Sequence, residues 1–425
     1  MDTVKIESFT QEWWKNFLQI NQNFTETCVI EDVMNDELVE ELQLGILQVL
    51  KERYKKDDIY DGFRVYLDGE EQNDSFLENL CKTPPLEGED ITAYTKRMFE
   101  QKFGIIINAG EKHSDIIANN IIKFLHPLME LVGCPPLGVE ITIFIGNYGW
   151  TPLGIHQDHK GENVIHFHLG PGKKTMYTWD EEKYNELTGE EHNNKNIEPL
   201  LEHANEYPFK KGDIYYMPWN KYHVGYSGEL SVGITLWFNN APKTKYVHRI
   251  LNSFRYQFLK QEKEIIPSQM DYLNNHATFE DMLSSFKLDD NILNYSLKDF
   301  LKFVYGEFKM ALMSNGGWQS VPLSLDVKDD YNIDDFEKLR GQKIINRAPF
   351  KIQYRKYKQS LWVYVRGAKF EMRYFEELVN VIDTLNKNEE LLVDDLLDLL
   401  PEVFPQEAVL YFLSLTLNKR GIEVL

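Results

Sequence analysis

The stretch Gly154-Ile155-His156-Gln157-Asp158, then Val164-Ile165-His166-Phe167-His168-Leu169 and Gly170-Pro171-Gly172-Lys173-Lys174, decides how the chain is read. It closes with Lys211-Gly212-Asp213-Ile214-Tyr215-Tyr216-Met217-Pro218, then His223, then Ser231-Val232-Gly233-Ile234-Thr235-Leu236-Trp237-Phe238. Residues i and i+2 of a strand point to the same side, so His156 and Asp158 can aim at one point. Pro218 to His223 reads as a turn that returns a third ligand from a distant strand. Two imidazoles and one carboxylate on one face leave coordination positions open, the arrangement that suits non-haem Fe(II). A bare His-x-Asp is a weak signal. The Gly turn before it, the strand and Gly-Lys-Lys after it, and the Gly-Asp and Pro before His223 carry the reading. His159, His166, His168 and His203 read equally well as surface or core histidines. The run from Ser231 to Phe238, rich in β-branched and aromatic residues, is a strand.

These pieces, in this order, resemble the JmjC-type Fe(II)/2-oxoglutarate oxygenases, and among them the bacterial cupin-like ribosomal oxygenases and the asparaginyl hydroxylases. The resemblance is specific over residues 139–239. It implies an α+β protein built on a double-stranded β-helix, the cupin/JmjC jelly-roll. It implies Fe(II) held by His156, Asp158 and His223, with 2-oxoglutarate as cosubstrate. Lys174 matches the position of the cation that holds the far carboxylate of 2-oxoglutarate, and Lys173 should point away. Ser231 matches a hydroxyl that some relatives use on the same carboxylate. The inward member of His166 and His168 is the next candidate for that contact. The implied activity is that of a 2-oxoglutarate-dependent dioxygenase, hydroxylating a side chain of a protein or peptide. One departure stands out: 180–207 is long, polar and irregular, and reads as an insertion between strands.

Outside the barrel, residues 1–135 read as an α/β lead-in. Phe9 to Leu18 places aromatics at helical spacing, which is a core pattern. Asp36 to Arg53 is an amphipathic helix with Leu38, Leu42, Ile46, Leu47 and Leu50 on one face. Phe63 to Leu67 and Phe103 to Asn108 are strands, and Ser114 to Leu131 is a helix stopped by Gly133 and Pro135. Residues 136–242 hold the metal-binding barrel, with Trp150 in a mouth loop, either against substrate or as a loop anchor. Residues 243–318 are helical, with helices over Tyr246 to Lys263 and Asp289 to Met313; in the resembling enzymes such a segment supports a homodimer, and it reads equally well as a helical cap on the barrel. Residues 319–425 combine strands at Phe350 to Tyr357 and Leu361 to Val365 with helices at Phe375 to Asn386, Val393 to Leu400 and Ala408 to Asn418. That pattern reads as a winged-helix-like domain.

The composition narrows the function classes. With 67 acidic against 46 basic residues the net charge is -21, which argues against nucleic acid as partner and favours a basic protein or peptide. No apolar run approaches transmembrane length. Met1 to Glu7 lacks the basic and apolar regions of a signal peptide. Cys28, Cys81 and Cys134 are scattered and odd in number, which fits a reducing cytoplasm rather than a disulfide framework. Three other readings stay open at this level. They are a cupin module or isomerase that binds metal without oxygen chemistry, an oxygenase acting on a free amino acid, and a non-catalytic interaction scaffold.

Overall fold

The fold is a mixed α/β arrangement of antiparallel sheets, taken from a computed structural model that describes residues 7–54, 62–260, 264–268, 270–271, 273–288, 290–325 and 332–425. The first six residues of the N-terminal segment fall outside that set. The helix Gln11–Ile20 begins where the Thr10 hydroxyl accepts the Trp13 amide, and its apolar stripe buries Trp13, Trp14, Phe17 and Leu18. Trp14 Nε1 donates to the Phe124 carbonyl, tying this helix to a second one, Asp115–Val132. Ser114 caps that second helix, and Gly133 ends it at φ +87. With Asp36–Tyr54, these helices cover one face of a large sheet.

The strands are β1 (Cys28–Ile30), β2 (Phe63–Leu67), β3 (Glu70–Glu71), β4 (Phe103–Asn108), β5 (Val139–Gly146), β6 (Gly149–Trp150), β7 (His156–Gln157), β8 (Glu162–Pro171), β9 (Lys174–Asp180), β10 (Asn205–Phe209), β11 (Ile214–Met217), β12 (Lys221–Ser227) and β13 (Ser231–Asn239). The large sheet runs β1-β11-β8-β13-β5-β4-β2-β3, and the smaller one runs β10-β9-β12-β6 with β7 also on β12. The two-residue period splits each central strand between two surroundings. In β13, Val232, Ile234, Leu236 and Phe238 join the core under the helices. Thr235, Trp237 and Asn239 face a cavity that also takes side chains from the small sheet.

Residues 180–207 are more ordered than their composition suggests. They form a helix (Glu181–Thr188), a 3-10 turn (Glu198–His203) and the start of β10. A few aromatics anchor a polar exterior: Tyr184 stacks on Tyr222 at 3.9 Å, and Trp179 Nε1 donates to the Leu200 carbonyl. The segment does lie between two strands, β9 and β10, as expected.

After β13, long helices at Lys243–Phe258 and Leu297–Ser314 pack through Phe254, Phe300, Phe303 and Phe308. The expected helix end at Lys263 and the expected start at Asp289 lie outside the described residues. The last part holds a sheet of Gln353–Tyr357, Ser360–Val365 and Ala368–Arg373 and a second of Lys343–Ile345, Leu391–Leu392 and Glu423–Val424. Its helices are Glu376–Leu385, Val393–Asp398 and Gln406–Asn418. The strand Ala368–Arg373 was not anticipated, because its alternation sets charged residues against only partly buried ones. Glu307, fully buried on Leu297–Ser314, joins the helix to this sheet by accepting from Arg355, Lys369 and the Tyr364 hydroxyl at 2.6 Å each. Among the described residues, no helix is long and apolar enough to cross a membrane.

Candidate metal centre

The cavity between the two sheets has a volume of about 770 Å3. His156 stands on β7 and His223 on β12, and the register makes them direct cross-strand partners. That pairing brings their rings to 4.3 Å between centroids. Asp158, two residues beyond His156, turns its carboxylate between them: Oδ1 lies 3.9 Å from His156 Nε2 and Oδ2 3.9 Å from His223 Nε2. Ligand atoms of all three lie within 4.8 Å of one another. His223 sits within a strand rather than in the turn expected for it. The turn is at 218–220, and β12 resumes at Lys221.

Backbone carbonyls orient the imidazoles. His156 Nδ1 donates to the Gly154 carbonyl at 2.9 Å, and His223 Nδ1 to the Lys221 carbonyl at 3.3 Å. In that tautomer each Nε2 keeps its lone pair towards Asp158, as a metal ligand requires. Gly154 adopts φ +78, and a Cβ there would lie 2.6 Å from the Asn194 carbonyl, so glycine is needed just before the ligand strand. Burial pushes both histidines down to about 4, His156 also through repulsion from His223. Burial pushes the Asp158 carboxyl up to about 7, against the attraction of His156. Asp158 Oδ2 is enclosed without a hydrogen-bond partner. A buried carboxylate of this kind calls for a cation, and the neutral imidazoles beside it present lone pairs rather than charge. The donor set therefore fits a divalent metal, and one with open positions.

Lys174 opens β9 and faces the cavity at 6 % exposure, while Lys173 points to solvent. Its ammonium lies over the rings of Phe144 at 5.2 Å and Tyr148 at 5.9 Å and pairs with no carboxylate among the described residues. Ser231 is buried at the start of β13 but is not part of the cavity lining; the hydroxyl from that strand that does line it is Thr235. Of His166 and His168, His166 is the inward member, although both lie on one face of β8. A spacing of two puts both on one face, with rings 5.9 Å apart, and both are buried. His166 lines the cavity, whereas His168 Nε2 bonds to the Gly172 carbonyl outside it.

Trp150 serves as an anchor. It packs on Tyr177 and Tyr226 and donates to Glu198. The Gly212-Asp213 pair is also structural: Asp213 accepts the Asp32 and Lys210 amides, and the Gly212 carbonyl accepts the Val33 and Met34 amides. Cavity-lining groups not singled out from the sequence include Arg64, Asn108, Glu140, Thr142, His192, Tyr215 and Lys245. The Lys211–Met217 run contained Tyr215, but only its pairing with β8 shows which of two adjacent tyrosines faces inward.

No protein-family model and no curated protein sequence matches the chain. Solved structures do. A structure of YcfD from Escherichia coli superposes with a TM-score of 0.51 at 16% identity, covering 97% of this chain and 98% of that one. A second, described as ribosomal oxygenase YcfD, gives 0.50 at 17% identity with the same coverage. The likeness is one of fold, and it extends over nearly the whole chain.

Proposed function

We propose that this protein is an Fe(II)- and 2-oxoglutarate-dependent oxygenase that hydroxylates a side chain of a protein or peptide. The observation that carries the reading is one cavity holding His156, Asp158 and His223 together with a buried Lys174 that pairs with no carboxylate among the described residues. Iron bound there would couple decarboxylation of 2-oxoglutarate, by O2, to hydroxylation of a C–H bond. His156, Asp158 and His223 would hold the ion, and Lys174 would hold the far carboxylate and set the reach of the cosubstrate. Thr178 is the cross-strand partner of His223, and Lys174 stands four residues from it on the same face of β9, roughly 13 Å along the strand. The lysine side chain and a short diacid together bridge that span. A metal-binding module without oxygen chemistry has no evident use for an unpaired cation at this place.

Strand order supports the jelly-roll reading: β11-β8-β13-β5 in one sheet faces β10-β9-β12-β7 in the other, and the chain crosses between the sheets from β7 to β8, β8 to β9, β10 to β11, β11 to β12 and β12 to β13. We read 1–135 as support for the barrel, 136–242 as the barrel, 243–318 as a helical segment suited to a homodimer, and 319–425 as winged-helix-like. Exposed Val247, Leu251, Leu301 and Tyr305 on the helical segment fit such pairing. The description of YcfD as a ribosomal oxygenase supports a polypeptide substrate, as does the net charge, which draws basic partners. The free thiols Cys28, Cys81 and Cys134 fit a cytoplasmic setting.

The test is to incubate protein, iron, ascorbate and 2-oxoglutarate with a cell lysate and with a library of basic peptides. Succinate release with one added oxygen on a polypeptide is the expected result. Equal oxidation of free amino acids, or turnover independent of 2-oxoglutarate, refutes the assignment.

A further inference from the structure

A second cavity, of about 460 Å3, adjoins the first where β8 begins and β13 ends. Glu162 and Asn239 line the metal-binding cavity, and the residues next to them, Asn163 and Asn240, line the second. Lys160, Trp219, Pro242 and Lys243 complete most of its wall. Among the described residues no carboxylate lines it, in a chain whose net charge is -21. The carboxylate adjoining that wall, Glu162, lines the other cavity and pairs with Lys245.

The wall presents donors that the protein itself does not use. Pro242 is the N-cap of the helix Lys243–Phe258, and no side chain caps that end. The first bond of the helix runs from the Tyr246 amide to the Pro242 carbonyl at 3.0 Å, and no acceptor among the described residues meets the amides of Lys243, Thr244 and Lys245. The first turn carries two lysines and no acid, the reverse of what the helix dipole favours. Asn163 adds an independent donor. It is 6 % exposed, and its Oδ1 accepts the Trp219 amide at 3.2 Å. That bond fixes the side-chain amide and leaves Nδ2 without a partner. Nδ2 is not sealed in the core, and the cavity that Asn163 lines is this one. Buried donors are normally paired, so an open one beside a bare helix end calls for a ligand. Lys160 and Lys243 form no ion pair among the described residues, and the Lys160 ammonium lies 5.7 Å from the centre of the Trp219 ring.

We propose that this cavity is an oxyanion-binding site, taking a phosphate or carboxylate group between the amino terminus of the helix Lys243–Phe258, Asn163 Nδ2 and the ammonium groups of Lys160 and Lys243. Free amides at a helix start point outward along the axis, and their partial positive charge adds to that of the two lysines. The lysines supply charge, and the fixed amide of Asn163 supplies direction. The site stands outside the metal cavity and does not rest on the oxygenase reading. Exposed His159 and Lys245 edge the metal cavity on this side. One chemistry therefore has two sources here: an acidic side chain of a polypeptide that also reaches the metal cavity, or a free phosphate.

The experiment titrates the metal-free full chain by calorimetry, in a buffer low in chloride, with inorganic phosphate and separately with N-acetylaspartate amide. A thermal melt of each protein is taken without ligand. Lys160→Gln and Lys243→Gln should each weaken phosphate about fivefold or more, the effect of one lost charge-assisted contact. Asn163→Asp keeps the acceptor for the Trp219 amide and sets an anion where the free donor was, so it should abolish binding. Pro242→Asp supplies the missing cap, so the melting temperature should rise while phosphate binding is lost. A purely structural helix end would not move the two in opposite directions. Lys174→Met removes the cation of the other cavity and should leave phosphate binding within about twofold. Phosphate binding about tenfold tighter than N-acetylaspartate amide assigns the site to a phosphate; equal or tighter binding of the carboxylate assigns it to an acidic side chain. Should Asn163→Asp fail to fold, Lys160→Gln, Lys243→Gln and Pro242→Asp decide. Binding of neither anion to the parent, or phosphate binding within about twofold of the parent in those three variants alike, overturns the proposal.

Discussion

Replacing Lys174 tests the cosubstrate site most directly. The side chain is 6 % exposed, its ammonium lies over Phe144 and Tyr148, and no carboxylate among the described residues balances it. A cation held this way has given up most of its water without gaining an ion pair. Binding a carboxylate then yields a charge-assisted hydrogen bond worth about 1.5–3 kcal/mol. At about 1.4 kcal/mol per tenfold, its loss should raise the Kd of 2-oxoglutarate roughly ten- to a hundredfold. Two variants separate charge from volume. Lys174→Ala removes both, and the Lys174 Cε lies only 3.1 Å from where a Cβ on Gly225 would sit, so the stem is tightly packed. Lys174→Met keeps most of the stem and removes the charge. Both should show the same loss of 2-oxoglutarate affinity, with iron affinity nearly unchanged. Lys174→Met should not destabilise the cosubstrate-free protein, since an unpaired buried charge costs stability. Calorimetry with 2-oxoglutarate on metal-loaded protein, together with denaturation midpoints, measures each term. A shift in Kd of less than about threefold for both variants would refute the reasoning and move the anchor to another cavity cation, such as Arg64.

Asp158→Ala should abolish turnover while the protein keeps its circular dichroism spectrum, because one ligand is lost without emptying a core; full activity would remove Asp158 from the ligand set. Metal uptake should weaken about tenfold per pH unit below about 7 and level off above it, because the proton on the buried Asp158 competes with the ion, and His156 and His223 compete only near 4; titrations with Co(II) at several pH values would show this. Without metal the Asp158 pKa is raised from 3.8, so its contribution to stability is fully present below about pH 4 and is lost as pH rises to about 7, which melts of the metal-free protein can follow. Glu307→Gln should cost about 3 kcal/mol in chemical denaturation, since it leaves Arg355 and Lys369 beside each other without their buried counter-ion; a change below about 1 kcal/mol would show that solvent screens the pair.

The sequence alone determined the elements whose pattern is local. The spacing of His156 and Asp158 marked them as a pair that can meet, although the strand His156–Gln157 ends one residue short of Asp158, and the helix Asp36–Tyr54 follows from its apolar stripe. Gly133 and Ser114 mark the ends of a helix because capping involves only the neighbouring turn. Lys174 was reached through resemblance and is buried in the cavity. Ser231, reached the same way, is buried away from the lining. What the tertiary structure decided depends on register between strands far apart in the chain. His223 meets His156 because β12 pairs with β7, across 67 residues. Tyr215 and Asn108 share a row with His166 only because β11, β8, β13, β5 and β4 align residue for residue, and a shift of one position would turn each of these side chains to the opposite face. The order within 180–207 was hidden for a related reason. Its polar residues say only that the exterior is wet, whereas its fold is set by Trp179 and Tyr184 docking on a surface, at Leu200 and Tyr222, that exists only once the small sheet has formed.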